Sequence, residues 1–240
     1  MAAAKRDLSI ELARTDASGQ IMRTRSFVVL GAVAIVATIA VTVWLSMPHR
    51  ELCLPVTLRG NSETGCWITA SKSLGPLSDA PLYWYIDRFP NRQSAVGATG
   101  TIVESYGQTW MFNVAGEGLP MPVSAQRMAV IGPLPVIKGH DYTAEYMEGT
   151  MRPGEKSIVH RHPGTEAFYN LEGEMCLETP GKRSVVKPGE SLFVAEGVPM
   201  ELTVTGRAMR RSLVLILHHG HLIGTPAFDW KPEGLCDRAD

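Results

Sequence analysis

Closely spaced turns dominate the second half of this sequence. From Tyr142 onward, Gly and Pro recur about every ten residues between short apolar runs, a spacing typical of β-sandwiches and barrels rather than of βαβ units. The turns are Arg152-Pro153-Gly154, Leu171-Glu172-Gly173, Pro180-Gly181, Lys187-Pro188-Gly189, Glu196-Gly197 and Thr205-Gly206. No amphipathic helix of useful length interrupts this pattern. We therefore predict a mainly β fold in which residues 142–220 form a barrel and residues 221–240 form a C-terminal tail.

The region before the barrel also contains strand-like runs. These runs are residues 82–86, 101–104, 109–114 and 127–131. Their aromatic and β-branched residues favour strands, and residues 91–98 are compatible with one short helix. We predict that residues 81–141 form an extension of extra strands with some helix, which packs on the barrel or lengthens it. A degenerate first barrel is the alternative, although this extension has no pair of histidines separated by one residue.

Two histidines separated by one residue lie at the start of the predicted barrel. On a strand, His160 and His162 would point to the same face, because side chains i and i+2 share a face. Glu166 follows the Pro163-Gly164 turn, so a hairpin would bring its carboxylate beside the two imidazoles. Two imidazoles and one carboxylate form the ligand set of non-haem Fe(II), and they also suit Zn, Mn or Ni. We predict that these three residues bind a divalent transition metal.

The complete spacing of this segment, G-x5-H-x-H-x3-E-x6-G, resembles the first motif of the cupin superfamily. The matching positions are Gly154, His160, His162, Glu166 and Gly173. The resemblance extends over residues 142–220. It implies a small jelly-roll barrel in which the two histidines and the glutamate bind a divalent metal inside. It also implies that the protein is compatible with a homodimer, since dimers are common in the family.

The second cupin motif, G-x5-P-x-G-x2-H-x3-N, is matched only in part. Gly189 and Gly197 are present, but Ala195 stands at the proline position and Val204 at the asparagine position. Met200 stands where the family has a histidine that supplies a fourth protein ligand. The two glycines and the turn sequence Glu196-Gly197-Val198-Pro199 are retained. We therefore expect the barrel to form, but without the fourth metal ligand.

The substitution at Met200 leaves three interpretations open. Water or substrate completes a three-ligand site, or copper is the metal with the soft thioether as a distant ligand, or the site is vestigial and holds no metal. His218, near the end of the last long strand-like run, is a candidate substitute ligand. Because both faces of that run are apolar, alternation does not tell which way His218 points.

A membrane span is predicted near the amino terminus. Residues 27–46 are twenty residues without a charge, and a helix of this length crosses about 30 Å, the thickness of the bilayer's hydrocarbon core. The basic residues before it are Lys5, Arg6, Arg14, Arg23 and Arg25. This bias predicts that residues 1–26 form a cytoplasmic tail and that the remaining chain is periplasmic or outside the cell. A cleaved signal sequence is the alternative and would make the protein secreted. Residues 47–80, rich in Pro, Gly and Ser, are interpreted as a linker.

The cysteines agree with export. All four, Cys53, Cys66, Cys176 and Cys236, follow the predicted span, and an even number in an oxidising compartment is compatible with two disulfides. We favour Cys53–Cys66 and Cys176–Cys236, although the sequence also permits the other two connectivities.

The charge balance limits the function. With 23 Lys and Arg against 24 Asp and Glu, the chain lacks the basic excess that nucleic-acid binding requires. A small basic cluster, Arg207, Arg210 and Arg211, is interpreted as a solvated turn, with an anion site as the alternative. The sequence thus predicts a membrane-anchored exported cupin that binds a metal and a small polar ligand, with dioxygenase or isomerase activity as the enzymatic form. A non-catalytic ligand-binding or sensor cupin with a vestigial metal site is the alternative.

Overall fold

The computed structural model of the chain describes residues 53–60, 63–78, 80–220 and 229–237. The predicted cytoplasmic tail (1–26) and the predicted transmembrane helix (27–46) lie outside these ranges, as does part of the predicted C-terminal tail. None of the helical segments within the described ranges has the length and hydropathy that a membrane crossing requires.

The described part of the chain is mainly β, which confirms that part of the predicted fold class. In chain order its strands are β1 (Leu54–Pro55), β2 (Gly65–Pro76), β3 (Leu82–Phe89), β4 (Thr101–Ser105), β5 (Gln108–Gly116), β6 (Gln126–Leu134), β7 (Asp141–Met151), β8 (Gly164–Glu172), β9 (Met175–Thr179), β10 (Lys182–Val186), β11 (Ser191–Val194), β12 (Glu201–Val204) and β13 (Arg210–His219). Three short 3-10 turns accompany them, at Val56–Leu58, Arg92–Ala95 and Leu235–Asp237.

The strands form three sheets. The first has the order β1-β2-β7-β13-β8-β11, the second β10-β9-β12 and the third β4-β5-β3-β6. The last long strand, β13, is inserted between β7 and β8 and is antiparallel to both. Such crossing connections between antiparallel strands are a property of jelly rolls.

The six-stranded and three-stranded sheets pack on each other through one apolar cluster. Met147 and Phe168 come from the larger sheet, and Met175 and Leu202 come from the smaller one. All four side chains are almost completely buried. The space between these two sheets is therefore the interior of the barrel.

The opposite face of the six-stranded sheet is covered by the four-stranded sheet. Strand alternation turns Tyr146 to this side, where its ring centroid lies 4.9 Å from that of Phe112 and 6.4 Å from that of Trp84. The four strand-like runs predicted before the barrel all lie within β3, β4, β5 and β6. The extension therefore packs on the outside of the barrel as a third layer.

Two segments before β7 differ in detail from the expectations for them. The helix expected at residues 91–98 is only the 3-10 turn Arg92–Ala95, which Asn91 caps by accepting a hydrogen bond from the Ser94 N–H at 3.0 Å. The linker expected at residues 47–80 contains β2, which pairs along its length with β7. β2 is only partly buried, so its sequence can be polar. The strand is defined by its backbone pairing with β7.

The two disulfides are the favoured pairs Cys53–Cys66 and Cys176–Cys236, which confirms that prediction. The Cys176–Cys236 disulfide joins β9 to the end of the described chain. Glu178, in the same strand and almost fully buried, accepts hydrogen bonds from three backbone N–H groups of that C-terminal segment at 2.5, 2.9 and 3.4 Å. The described end of the predicted tail is thus attached to the barrel.

Candidate metal centre

The segment that carries the two histidines runs along β12 without forming a regular strand. The Ser157 N–H donates to the Leu202 carbonyl at 2.8 Å, and the His160 N–H donates to the Met200 carbonyl at 3.1 Å. Between these two hydrogen bonds the histidine segment advances by three residues while β12 advances by two, so the pairing is irregular and bulged. The strand predicted for His160 and His162 is replaced by this bulged segment. The two rings nevertheless lie close together, with centroids 5.0 Å apart.

Glu166 lies in β8. It lies between Val194 of β11 and Ile216 of β13, so its position is set by pairing on both sides. The strand begins at Gly164, where an added Cβ would lie 2.2 Å from the Leu217 carbonyl oxygen. Only glycine permits this approach to β13, and this packing brings Glu166 back toward the histidine segment.

The structure brings together the three residues that the sequence nominated. One ligand atom from each of His160, His162 and Glu166 lies within 4.8 Å of the others. The Nε2 atom of His162 lies 3.2 Å from the Oε2 atom of Glu166, and both side chains are buried. An ion with bonds of about 2.1 Å holds its ligand atoms about 3–4 Å apart, so small side-chain adjustments are sufficient to enclose one.

The carboxylate is in the state that a metal requires. Burial by itself raises the pKa of the Glu166 carboxyl, whereas His162 and His160 lower it. Arg210 also lowers it, and the pKa ends below its usual value. Glu166 is therefore ionised at neutral pH.

The hydrogen-bonding state of the imidazoles also fits a metal. The Ile158 carbonyl can only accept a hydrogen bond, so the contact of 2.7 Å from His160 Nδ1 puts the proton on Nδ1 and the lone pair on Nε2. Within the described residues, His162 Nδ1 is buried without a hydrogen-bond partner. Buried polar atoms without partners are rare, and a bound cation is one way to account for them.

No fourth His, Cys, Asp or Glu joins this group within the described chain. Met200 is 1% exposed, and it pairs with His160 through its backbone, so an apolar thioether lies at the position of the family's fourth ligand. His218 is buried elsewhere, with its Nε2 atom 4.0 Å from Glu145, and is not part of the group.

A cavity of about 610 Å³ opens beside the three residues. Its polar or charged lining includes Thr150, Glu155, Lys156, Ser157 and Arg210, and its apolar lining includes Trp67, Phe168, Leu177, Met200, Leu202, Val214 and Ile216.

For one member of this lining, the favoured interpretation of the sequence was wrong. Arg210 was interpreted as part of a solvated turn, but it is 3% exposed. It lies on the same side of β13 as Val214 and Ile216, and alternation predicts this grouping once one of the three is known to face the barrel. Because both faces of β13 are apolar, the sequence did not show which of its side chains face the barrel interior.

The family comparison agrees with the motif. Residues 147–226 match the family model described as a cupin domain. This match supports placing this part of the chain in the cupin superfamily, as the spacing of the histidines and the glutamate implied. Among curated proteins, the sequence search found no match.

Solved structures resemble only a part of the chain. The DMSP lyase DddQ from Ruegeria pomeroyi is 28% identical, with a TM-score of 0.32, over 38% of this chain and 45% of that one. The polyketide cyclase RemF from Streptomyces resistomycificus is 24% identical, with a TM-score of 0.32, over 37% of this chain and 62% of that one. A cupin superfamily protein from Desulfitobacterium hafniense is 14% identical, with a TM-score of 0.29, over 35% of this chain and 73% of that one. The chain thus spans less than two thirds of the first two proteins.

Proposed function

We propose that this protein is a membrane-anchored, exported cupin that binds a divalent transition metal through His160, His162 and Glu166, together with a small polar ligand. The observation that carries the proposal is the convergence of two imidazoles and an ionised carboxylate beside a cavity. This donor set suits Fe, Mn, Zn or Ni, and copper with the thioether of Met200 as a distant ligand is the less favoured alternative.

The protein's own groups prepare the site for a ligand. The Ile158 carbonyl orients the His160 ring, and the burial of His162 and Glu166 keeps bulk water away from two of the three donors. A divalent ion in such a site supplies Lewis-acid polarisation or O₂ activation, and metal-dependent dioxygenase or isomerase activity is the enzymatic form of this proposal.

Export is supported by two independent features. Residues 27–46 are uncharged and follow several basic residues, which favours a span with a cytoplasmic amino terminus. The two disulfides are typical of an oxidising compartment. We also propose a homodimer, which light scattering of the purified protein would test.

Elemental analysis of the full-length chain tests the metal proposal. After expression with added Fe, Mn, Zn and Ni, we expect close to one ion per chain. His160→Ala should remove the ion while circular dichroism shows an intact barrel. His219→Ala is the matched control, because His219 lies 3.4 Å from Glu196 and outside the group of three. A metal-free wild-type protein would contradict the proposal.

A non-catalytic ligand-binding or sensor cupin is the second candidate. Its support is Met200, a buried hydrophobe at the position of the fourth ligand. Thermal-shift measurements separate the two candidates, because a ligand that binds only the folded state raises the melting temperature. Stabilisation by small polar metabolites that EDTA does not change would favour the non-catalytic candidate.

A further inference from the structure

Arg210 is a buried guanidinium without a partner for most of its N–H groups. It is 3% exposed, and its Nε and Nη2 atoms have no hydrogen-bond partner among the described residues. Its side chain lies 5.5 Å from the centroid of the Phe168 ring, and its Nη1 atom is 4.0 Å from the Met151 sulfur. A buried charge is costly unless it is paired and hydrogen-bonded. The barrel therefore keeps a charged donor whose hydrogen bonds the described protein atoms do not satisfy.

The charge on Arg210 is not cancelled by a neighbouring acid. Within the described ranges no salt bridge joins a carboxylate to Arg210, although burial, which lowers its pKa, is opposed in part by Tyr106 and Glu166. Burial lowers the pKa of Arg210 to about 10, so the side chain stays positive at neutral pH. Arg210 therefore belongs to the lining of the cavity as a cation.

A second buried donor belongs to the same lining. The Nε1 atom of Trp67 is buried without a hydrogen-bond partner among the described residues. An indole N–H can only donate, and a guanidinium can only donate. The two unsatisfied groups therefore call for a ligand that accepts hydrogen bonds.

We propose that Arg210 binds the carboxylate of a small organic acid whose remaining atoms occupy the cavity beside His160, His162 and Glu166. This inference deepens the proposed function, on which it rests, by naming the ligand class of the same cavity. A planar guanidinium matches a carboxylate with two parallel hydrogen bonds.

The rest of the lining favours a carboxylate over a phosphate. Phosphate sites usually combine several backbone N–H groups with more than one cation. Here the other cation of the lining, Lys156, lies at the rim and pairs with Asp237 at 2.7 Å and Glu201 at 3.4 Å. The apolar side chains Phe168 and Leu202 suit the hydrocarbon part of an organic acid. A divalent ion beside Glu166 and Arg210 would leave the cavity with a net positive charge, which also favours an anion.

The test compares acids with their uncharged amides on the full-length, metal-loaded chain. Propionate, hexanoate and benzoate are each paired with the corresponding amide, and inorganic phosphate is added as a separate probe. We expect at least one carboxylate to raise the melting temperature and its amide not to do so. In calorimetry, Arg210→Met should weaken binding of that carboxylate by at least about tenfold, as expected for loss of a charge-assisted pair.

The control is Arg211→Met, the adjacent arginine, which is half-exposed and pairs with Glu172 at 3.2 Å. It should leave carboxylate binding unchanged. Should Arg210→Met fail to fold, Arg210→Lys decides, because it keeps the charge but loses the planar fork. No preference of the wild type for any acid over its amide, a preference for phosphate, or equal binding by the Arg210 variants would overturn the inference. Metal content is measured on each sample, so loss of the metal proposal and loss of the carboxylate proposal remain distinguishable.

Discussion

The Nε2 atom of His162 lies 3.2 Å from the Oε2 atom of Glu166, although one residue belongs to the bulged segment beside β12 and the other to β8. The two segments are joined through Pro163 and Gly164, and the close packing of Gly164 on β13 makes the approach possible. The contact is therefore a product of barrel closure as well as of local spacing.

The first prediction concerns the charge of Glu166. Glu166→Gln keeps the shape of the side chain but removes the negative charge that a cation requires. Changes at residues that only support a ligand cost about 10–100-fold in metal affinity, so loss of a ligand should cost at least about 100-fold. Competition with a chromophoric chelator measures this. Glu172→Gln, an exposed change at the end of the same strand, is the control. Unchanged affinity of Glu166→Gln would exclude the carboxylate as a ligand.

The second prediction concerns Met200. Met200→Leu keeps the apolar volume and should leave the binding of Zn, Mn and Fe unchanged, because a thioether is a weak ligand for these ions. Met200→His should strengthen binding of Zn or Mn by at least about tenfold, since it adds an imidazole at the family's fourth-ligand position. Both effects are measured by competition titration. A selective loss of copper binding in Met200→Leu would instead support the copper interpretation.

The third prediction concerns alkaline pH. Burial raises the pKa of Tyr106 from 10.0 to about 12, and its hydroxyl donates to the Gly149 carbonyl at 3.0 Å. A raised pKa means that the folded protein holds this proton more tightly than the unfolded chain does. The resulting stability is complete below pH 10 and is lost as the pH rises toward about 12. The melting temperature should therefore fall over this interval.

The variant Tyr106→Phe isolates that contribution. At neutral pH it should cost about 1 kcal/mol, the usual contribution of an intramolecular hydrogen bond. Above pH 10 its melting temperature should decline less steeply than that of the wild type. Identical slopes for the two proteins would show that Tyr106 does not contribute to the alkaline transition.

The fourth prediction ranks the disulfides. Cys176 and Cys236 are 60 residues apart, whereas Cys53 and Cys66 are 13 apart. If constraint of the unfolded chain dominates, replacing Cys176 and Cys236 by serines should lower the free energy of unfolding by about 4 kcal/mol. Replacing Cys53 and Cys66 by serines should lower it by about 3 kcal/mol. Urea unfolding of the two double variants measures both values. The opposite order would mean that the packing of each disulfide in the folded state outweighs chain entropy.

Several features of the protein could be predicted from local patterns. The spacing from Gly154 to Gly173 identified His160, His162 and Glu166, because these residues are near in sequence and a turn at Pro163-Gly164 connects them. The strands β3 to β6 could be recognised because their aromatic and β-branched residues lie between Gly- and Pro-bearing turns. Local alternation and turn chemistry are sufficient for such elements.

Other features depend on partners that are distant in the chain. The polar strand β2 becomes a strand through its pairing with β7, about 75 residues later in sequence, and no local pattern reveals that pairing. Arg210 looked like a surface residue because charge usually indicates solvent. β13 packs between β7 and β8 in a sheet that is covered on both faces by other sheets. Only this packing makes Arg210 part of the cavity lining. The sequence by itself determined the β class and the three candidate ligands. The tertiary structure decided among the three possible disulfide connectivities and decided which other groups share the ligands' cavity, because pairing and burial depend on packing between distant segments.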